Sequence, residues 1–533
     1  MKPSSLYTVL LCLSAAAAAT AAAPRQLAAA QRPSVAATVV MFGWPDWKLD
    51  PASNSSKCIE QVKRVASRLG APSSRSSIKF APYFFYTWAM PANAQTNEDK
   101  HFRHSVVQWL VRDASYAQVE PTASHVASFT ADFAQCVAAA VSLGFANIYL
   151  NPMIDADYQQ PDCCPWRNAA EFDPTVNLIG STTKLPWSYE SLVLRPTLAA
   201  AKAAVGSNRN ITISFGLGAE LGRTFTVLGA QWAGVTKRVQ AALAAIVDSY
   251  AVGPQFDPTK LCGNYCDAYS PATRVTTAQW AAFRAFLQVA DMLGTSNYPN
   301  VWERYNASTK ALDAPQSLRK FASQLQQFGG VSLASLRAAG KGFISNEIGL
   351  GGCRDFGCDG TTTPDIIELS KNAFNGQGSY EDYSSPPKLV DPFRYLWTKA
   401  FRMEWWRQQL AFMRDSSHEL AVDAVYLWPV GSWDVAAIYH PDSRGQSPDA
   451  VGCDPKASFC DPELLAMMRN FNRVGLVPAR PFFNLPGPAY YTPPNFRRRR
   501  QAGPCPPAQL PDNVPDWALP LVLSRPQWGC DEL

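Results

Sequence analysis

Charge is what this chain has least of: Asp, Glu, Lys and Arg make up 17% of its 533 residues, and 48 Lys+Arg against 43 Asp+Glu leave a formal net charge of +5. So small and diffuse an excess excludes the basic footprint on which nucleic-acid binding depends. Histidine is scarcer still, limited to His101, His104, His125, His418 and His440. With no G-x-S-x-G elbow in the chain, that scarcity speaks against a serine nucleophile activated by histidine. No Gly-x-x-x-x-Gly-Lys-Ser/Thr loop is present, which disfavours nucleotide chemistry. Internal repeats and coiled-coil heptads are absent too. Beyond the N-terminal segment, no stretch is long and apolar enough to cross a bilayer.

What is abundant is apolar and aromatic. Hydrophobic residues make up 47% and aromatic ones 12% of the chain, enough for a large core and too much for a disordered protein. The 42 prolines, 16 tryptophans and 13 cysteines suit a secreted protein with a wide aromatic surface. Met1-Lys2 followed by the apolar run Leu6 to Ala23 reads as a signal peptide over residues 1–23, an uncleaved anchor being the alternative. A spacer over 24–34 follows. Removing Cys12 with the leader leaves twelve cysteines, an even number that allows up to six disulfides. Cys262/Cys266, Cys353/Cys358 and Cys453/Cys460 are spaced to close small loops. Repeated C-x-x-C spacing is missing, so neither a metal nor any cofactor is expected. Sequons at Asn54, Asn210 and Asn306 add to the expectation of export.

From residue 35 to about 480, apolar strand-like runs alternate with amphipathic helical stretches, the pattern of parallel βα units. Strands are expected at Val35 to Phe42, Ile78 to Tyr86, Ala146 to Leu150, Ile211 to Leu217, Leu287 to Gly294, Gly342 to Ser345 and Ala421 to Leu427. These are numbers one to four and six to eight of an eight-stranded barrel, the fifth being unlocated where the pattern falters through Cys262 to Ser270. The fold class expected is therefore α/β: a (β/α)8 TIM barrel with insertions, disulfide-stapled loops and an irregular C-terminal tail. A doubly wound open sheet would instead carry a glycine-rich phosphate turn after its first strand, and Gly43-Trp44-Pro45-Asp46 is not one. Residues 481–533 form a Pro/Arg-rich tail that includes the run Arg497 to Arg500.

In such a barrel the chemistry sits at the C-terminal ends of the strands. Two glutamates stand there: Glu220, after Phe215-Gly216-Leu217-Gly218-Ala219, and Glu347, after Phe343-Ile344-Ser345-Asn346. A carboxylate following a buried strand is costly to desolvate and is seldom placed for solubility. Two facing one another make the pair that glycoside hydrolysis requires, although Glu220 could instead pair with Arg223 and tie loops together. Trp44, Trp47, Trp88 and Trp433 lie near strand ends as candidate sugar-stacking rings. Asn151, Asp155 and Asp157 follow strand three and could reach sugar hydroxyls or cap the next loop.

These segments resemble the fourth- and seventh-strand ends of the clan A glycoside hydrolase superfamily of (β/α)8 barrels, which includes endo-β-mannanases, endo-β-galactanases and cellulases. The resemblance implies a retaining mechanism with Glu220 as acid/base and Glu347 as nucleophile. It implies too that Tyr298, in Ser296-Asn297-Tyr298, hydrogen-bonds the nucleophile and that Trp428, in Val425-Tyr426-Leu427-Trp428, floors the cleavage point. Most of the clan has Asn before the acid/base, where this chain has Ala219; Asn346 precedes the other Glu instead, which leaves the reverse assignment open. For retention the carboxyls should stand about 5 to 5.5 Å apart, with Glu220 in an apolar, like-charged setting.

The function expected is a secreted, endo-acting glycosidase that works as a monomer on a β-linked polysaccharide. It would bind no nucleic acid and have no membrane contact beyond the signal segment. A carbohydrate-binding barrel without catalysis and a structural extracellular matrix protein are the alternatives.

Overall fold

Strands buried on both faces read as unbroken apolar runs, and the first strand, β1 (Ser34–Met41, SVAATVVM), is buried at every position. The structure is a computed structural model. It describes residues 33–297 except 72, 92–93, 95–96, 162–163, 265 and 267–273, together with 315–348, 381–382, 388–389, 396–430 except 416, and 462–479.

β1 pairs in parallel with β2 (Ser73–Ala89), which pairs with β3 (Phe145–Leu150), then β4 (Thr212–Gly216), then β5 (Ser249–Gly253). On the other side β1 pairs with β8 (Ala424–Val430), which pairs with β7 (Gly342–Ile348), then β6 (Met292–Asn297). The ring closes at the unlocated fifth strand, which is split by Pro254. Its first segment pairs with β4, and the dipeptide Gln255–Phe256 beyond the proline pairs with β6. Pro254 has no N–H for the ladder, but its carbonyl accepts from Gly294 N at 3.0 Å. Gly253 is required here, because a Cβ would collide with the Met292 carbonyl oxygen. The expected parallel barrel is thus observed.

Two elements differ from the sequence expectation. The apolar stretch Leu287 to Val289 ends the helix Thr277–Val289, and the sixth strand begins only at Met292. Short apolar runs fit a buried helix and a buried strand alike, so periodicity alone does not separate them. The second strand, for its part, is 17 residues long and overshoots the barrel. Its outer part pairs with the antiparallel strand His104–Arg112 and with the short parallel strand Met153–Ala156, raising a wall beside the barrel mouth.

Helices cover the outside. Helix Lys57–Val65 is capped by Ser56 and tied to helix Ala123–Ser142 by the Cys58–Cys136 disulfide. Cys262 and Cys266 form the small loop expected of them, while Cys353, Cys358, Cys453 and Cys460 lie outside the described residues. Helix Pro462–Val474 holds the start of β1 through Asn472, whose side chain both accepts from Val35 N and donates to Val35 O. Among the described residues no helix is long and apolar enough to cross a membrane.

The overshooting wall buries two histidines. His104 Nδ1 lies 2.9 Å from the Lys100 carbonyl, which can only accept, so Nδ1 carries the proton and Nε2 accepts from the Tyr86 hydroxyl at 3.0 Å. Burial pushes His104 down to about 4, and burial with Lys100 and His104 nearby pushes His101 to about 3. Both folded values lie below the unfolded 6.5, so the unfolded chain takes up protons first. Their contribution to stability is present above pH 6.5 and lost progressively as pH falls towards 4. For His104 the loss amounts to about 3 kcal/mol. Urea denaturation at pH 7 and pH 4.5 should show a smaller pH dependence in His104→Gln than in the native chain; equal dependence would remove His104 as the cause.

Candidate active site

At the end of β4 the backbone turns through Gly218, at φ 147°, to reach Glu220, one of four described non-glycine residues with positive φ, at 58°. Such a conformation costs on the order of 1–3 kcal/mol and persists only where the surroundings enforce it. Here they do: Glu220 Oε1 accepts from the Ser296 hydroxyl at 2.6 Å, and Oε2 accepts from Arg167 Nε at 3.3 Å. Ala219 N, beside it, donates to the Pro152 carbonyl at 3.2 Å.

Glu347 lies within β7 and is buried. A register shift between Thr295 and Ser296 sets Ser296 directly across from Glu347 on the neighbouring strand. The residue that donates to one carboxylate is therefore the cross-strand neighbour of the other. Lys79, fully buried in β2, completes the connection: its Nζ donates to the Asn346 carbonyl at 2.7 Å and stands 3.8 Å from Glu347 Oε1. The ammonium lies 5.3 Å from the ring centroid of Trp428 and 5.6 Å from that of Tyr149. Burial pushes Lys79 down to about 8, against the raising fields of Glu347 and Glu220.

Arg167 links a third carboxylate, because its Nη1 donates to Asp155 Oδ1 at 2.5 Å while Nε holds Glu220. Burial raises Asp155 to about 6, outweighing the lowering field of Arg167, with Glu220 adding to the rise. Three carboxylates thus share the direct contacts of two cations, and Asp155 is the one that burial pushes towards keeping its proton.

The other expected site residues are distributed as follows. Trp428 lies in β8 and packs in an apolar cluster with Phe42, Tyr83, Phe85 and Ala219. Asn151, just past β3, is fully buried in the space left by Gly216, where a Cβ would collide with its amide. The side-chain amides of Asn151 and Asn346 are buried with no hydrogen-bond partner among the described residues. Trp44 opens the short helix after β1 and is half-buried, its ring edge-on to His125 at 5.7 Å. Trp47 and Trp88, expected at the cleft, instead belong to the main core: Trp47 packs on Phe129, and Trp88 lies under Lys100. Tyr298 and Trp433 lie outside the described residues.

The surroundings of Glu220 differ from expectation as well. In place of an apolar, like-charged wall stand a guanidinium and a hydroxyl. Arg223 does not reach it; Arg223 pairs with Glu171 at 3.1 Å. Lys79 and Arg167 were missed by sequence reasoning. A signal for the first existed, since a lysine inside the apolar run Ile78-Lys79-Phe80-Ala81 is as anomalous as a glutamate at its end. Nothing local marks Arg167, which follows Cys163-Cys164-Pro165-Trp166 in the sequence.

No family model and no curated protein matches the chain. Among the solved structures it is similar to are glycoside hydrolases. One is the GH113 β-mannanase from Alicyclobacillus acidocaldarius, at 13% identity and TM-score 0.38, covering 84% of this chain and 97% of that one. Another is an endo-β-1,4-glucanase from Xanthomonas axonopodis pv. citri, at 10% identity and TM-score 0.34, covering 83% and 99%. A third is the GH53 catalytic domain from Ignisphaera aggregans, at 13% identity and TM-score 0.31, covering 74% and 84%.

Proposed function

We propose that this chain is a secreted, endo-acting glycoside hydrolase of the clan A type that cleaves β-linked polysaccharide with retention. Glu347 would be the nucleophile and Glu220 the acid/base. The observation that carries the reading is the convergence of these two glutamates from β4 and β7 through Ser296, Glu347 beside the buried Lys79 and Glu220 beside the part-buried Arg167. Lys79 against Glu347 favours the ionised carboxylate that attack on the anomeric carbon requires. Glu220, held at the end of β4 by Ser296 and Arg167, would pass a proton to the leaving oxygen. The unpartnered amides of Asn151 and Asn346 supply donors and acceptors for sugar hydroxyls. Trp428 offers the sugar an apolar floor.

The test is incubation of purified protein with β-mannan, β-galactan, xylan and β-glucan. Sugar release from at least one, abolished in Glu220→Ala and in Glu347→Ala, is the expected result. Binding without release, equal in all three proteins, would leave a carbohydrate-binding barrel.

A further inference from the structure

Arg112 ends the outer strand His104–Arg112 and plays no part in the carboxylate network just described. It is 2% exposed, yet its Nε, Nη1 and Nη2 all lack a hydrogen-bond partner among the described residues. Five N–H donors in a planar fork are thus withdrawn from water and left unanswered, an arrangement proteins seldom keep without an acceptor to meet it.

The setting is constructed. The guanidinium carbon stands 4.4 Å from the ring centroid of Phe85 and 5.2 Å from that of Tyr158, so the fork is held between two aromatic faces. Its stem crosses the end of β1 only because residue 43 is glycine: a Cβ there would stand 2.7 Å from Arg112 Cβ. The acids whose fields reach it are already engaged. Asp46 accepts from the Tyr116 hydroxyl at 2.6 Å and from Phe42 N at 2.6 Å, and Asp155 holds Arg167. Gln118, opposite Arg112 in the strand register, also has an unpartnered amide, and the Trp44 indole N–H is unpartnered as well. Phe85, on whose ring Arg112 stacks, packs in the same cluster as Ala219 and Trp428, the neighbours of the proposed catalytic pair. Tyr116 and Tyr158, beside the fork, are partly exposed.

We propose that Arg112 receives the carboxylate of a uronic acid unit, which makes the substrate an acidic polysaccharide. A carboxylate fits the planar fork with two parallel N–H···O bonds and supplies the missing counter-charge in one step. The proposal rests on the glycosidase reading for its substrate class, but binding tests it independently of hydrolysis.

The probes are two matched pairs that differ only in oxidation at C6: β-1,4-mannohexaose with β-1,4-mannuronate hexamer, and cellohexaose with its C6-carboxyl form. They are titrated calorimetrically into the Glu347→Gln protein, where no turnover intervenes. In at least one pair the carboxylated form should bind about tenfold more tightly. The gap should narrow as salt rises, shrink in a second chain carrying Arg112→Lys, and vanish with Arg112→Gln while neutral affinity is retained. Equal affinities within both pairs, or a gap that survives Arg112→Gln, overturn the proposal. Should Arg112→Gln fail to fold, the comparison within each pair and its salt dependence still decide. Binding of the acidic form through Arg112 without hydrolysis of any polymer by the native chain would sink the glycosidase reading alone. Hydrolysis of neutral polymers with no acidic preference would sink this one alone.

Discussion

Glu347→Gly should lower turnover by about 10⁴-fold, and sodium azide should restore part of it as a glycosyl azide of inverted configuration. A small anion fits the space vacated by the nucleophile and attacks from its face, so the product keeps the stereochemistry that the covalent intermediate would have had. Glu220→Gly should lose about 10²–10⁴-fold, the range of a positioned proton donor, and azide should then give the retained product, because attack follows formation of the intermediate. With an aryl glycoside whose leaving group requires no proton, the Glu220 variant should show near-native formation of the intermediate. NMR of the azide products checks both. If the two stereochemical outcomes are exchanged, the roles of the residues are exchanged as well.

Lys79→Met should have the second largest effect. It removes the Lys79 cation from its buried ion pair with Glu347, at a cost of about 3–5 kcal/mol. Loss of the neighbouring cation favours the protonated carboxyl, so its folded pKa rises relative to the native chain. The variant is then relatively more stable at low pH and loses that advantage as pH rises through the new value. Activity near neutrality falls with it, because a protonated nucleophile does not attack. In the native chain Lys79 itself titrates at about 8, well below its ordinary 10.5, and the alkaline limb of kcat/KM should fall there as the charge beside Glu347 is lost. Lys79→Arg, which keeps its charge, should move that limb upward. An alkaline limb unmoved by Lys79→Arg would separate Lys79 from the ionisation of the site.

The barrel was legible because buried parallel strands carry continuous apolar runs, and Glu220 and Glu347 were legible because each interrupts the end of one. Ser249–Gly253 escaped notice for a physical reason: it is five residues long, begins with serine, ends with glycine and hands over to a proline. Its strand identity comes from its pairing with β4, which no local window contains. The cations of the site escaped for a related reason. Lys79 has meaning only against Glu347, 268 residues away along the chain by the difference of their numbers, and Arg167 only against Asp155 and Glu220 together. Trp47 and Trp88 were misplaced because tryptophan beside Pro, Asp or Ser looks the same whether its ring faces a cleft or a core.

The divided fifth strand has a consequence for how the molecule is made. The chain up to Gly253 carries five strands in register with one another, and the part from Gln255 carries the remainder, with Pro254 the point of transfer. The two disulfides with both ends described, Cys58–Cys136 and Cys262–Cys266, each stay on one side of that point. As the chain leaves the ribosome, the leading half can therefore pair, pack and oxidise without waiting for the trailing one. The trailing half then docks along two seams, where β8 meets β1 and where Asp291, just before β6, donates its N–H to the Val252 carbonyl. Glu220 arrives with the first half and Ser296, Glu347 and Trp428 with the second, so the assembled mouth first exists when those seams close.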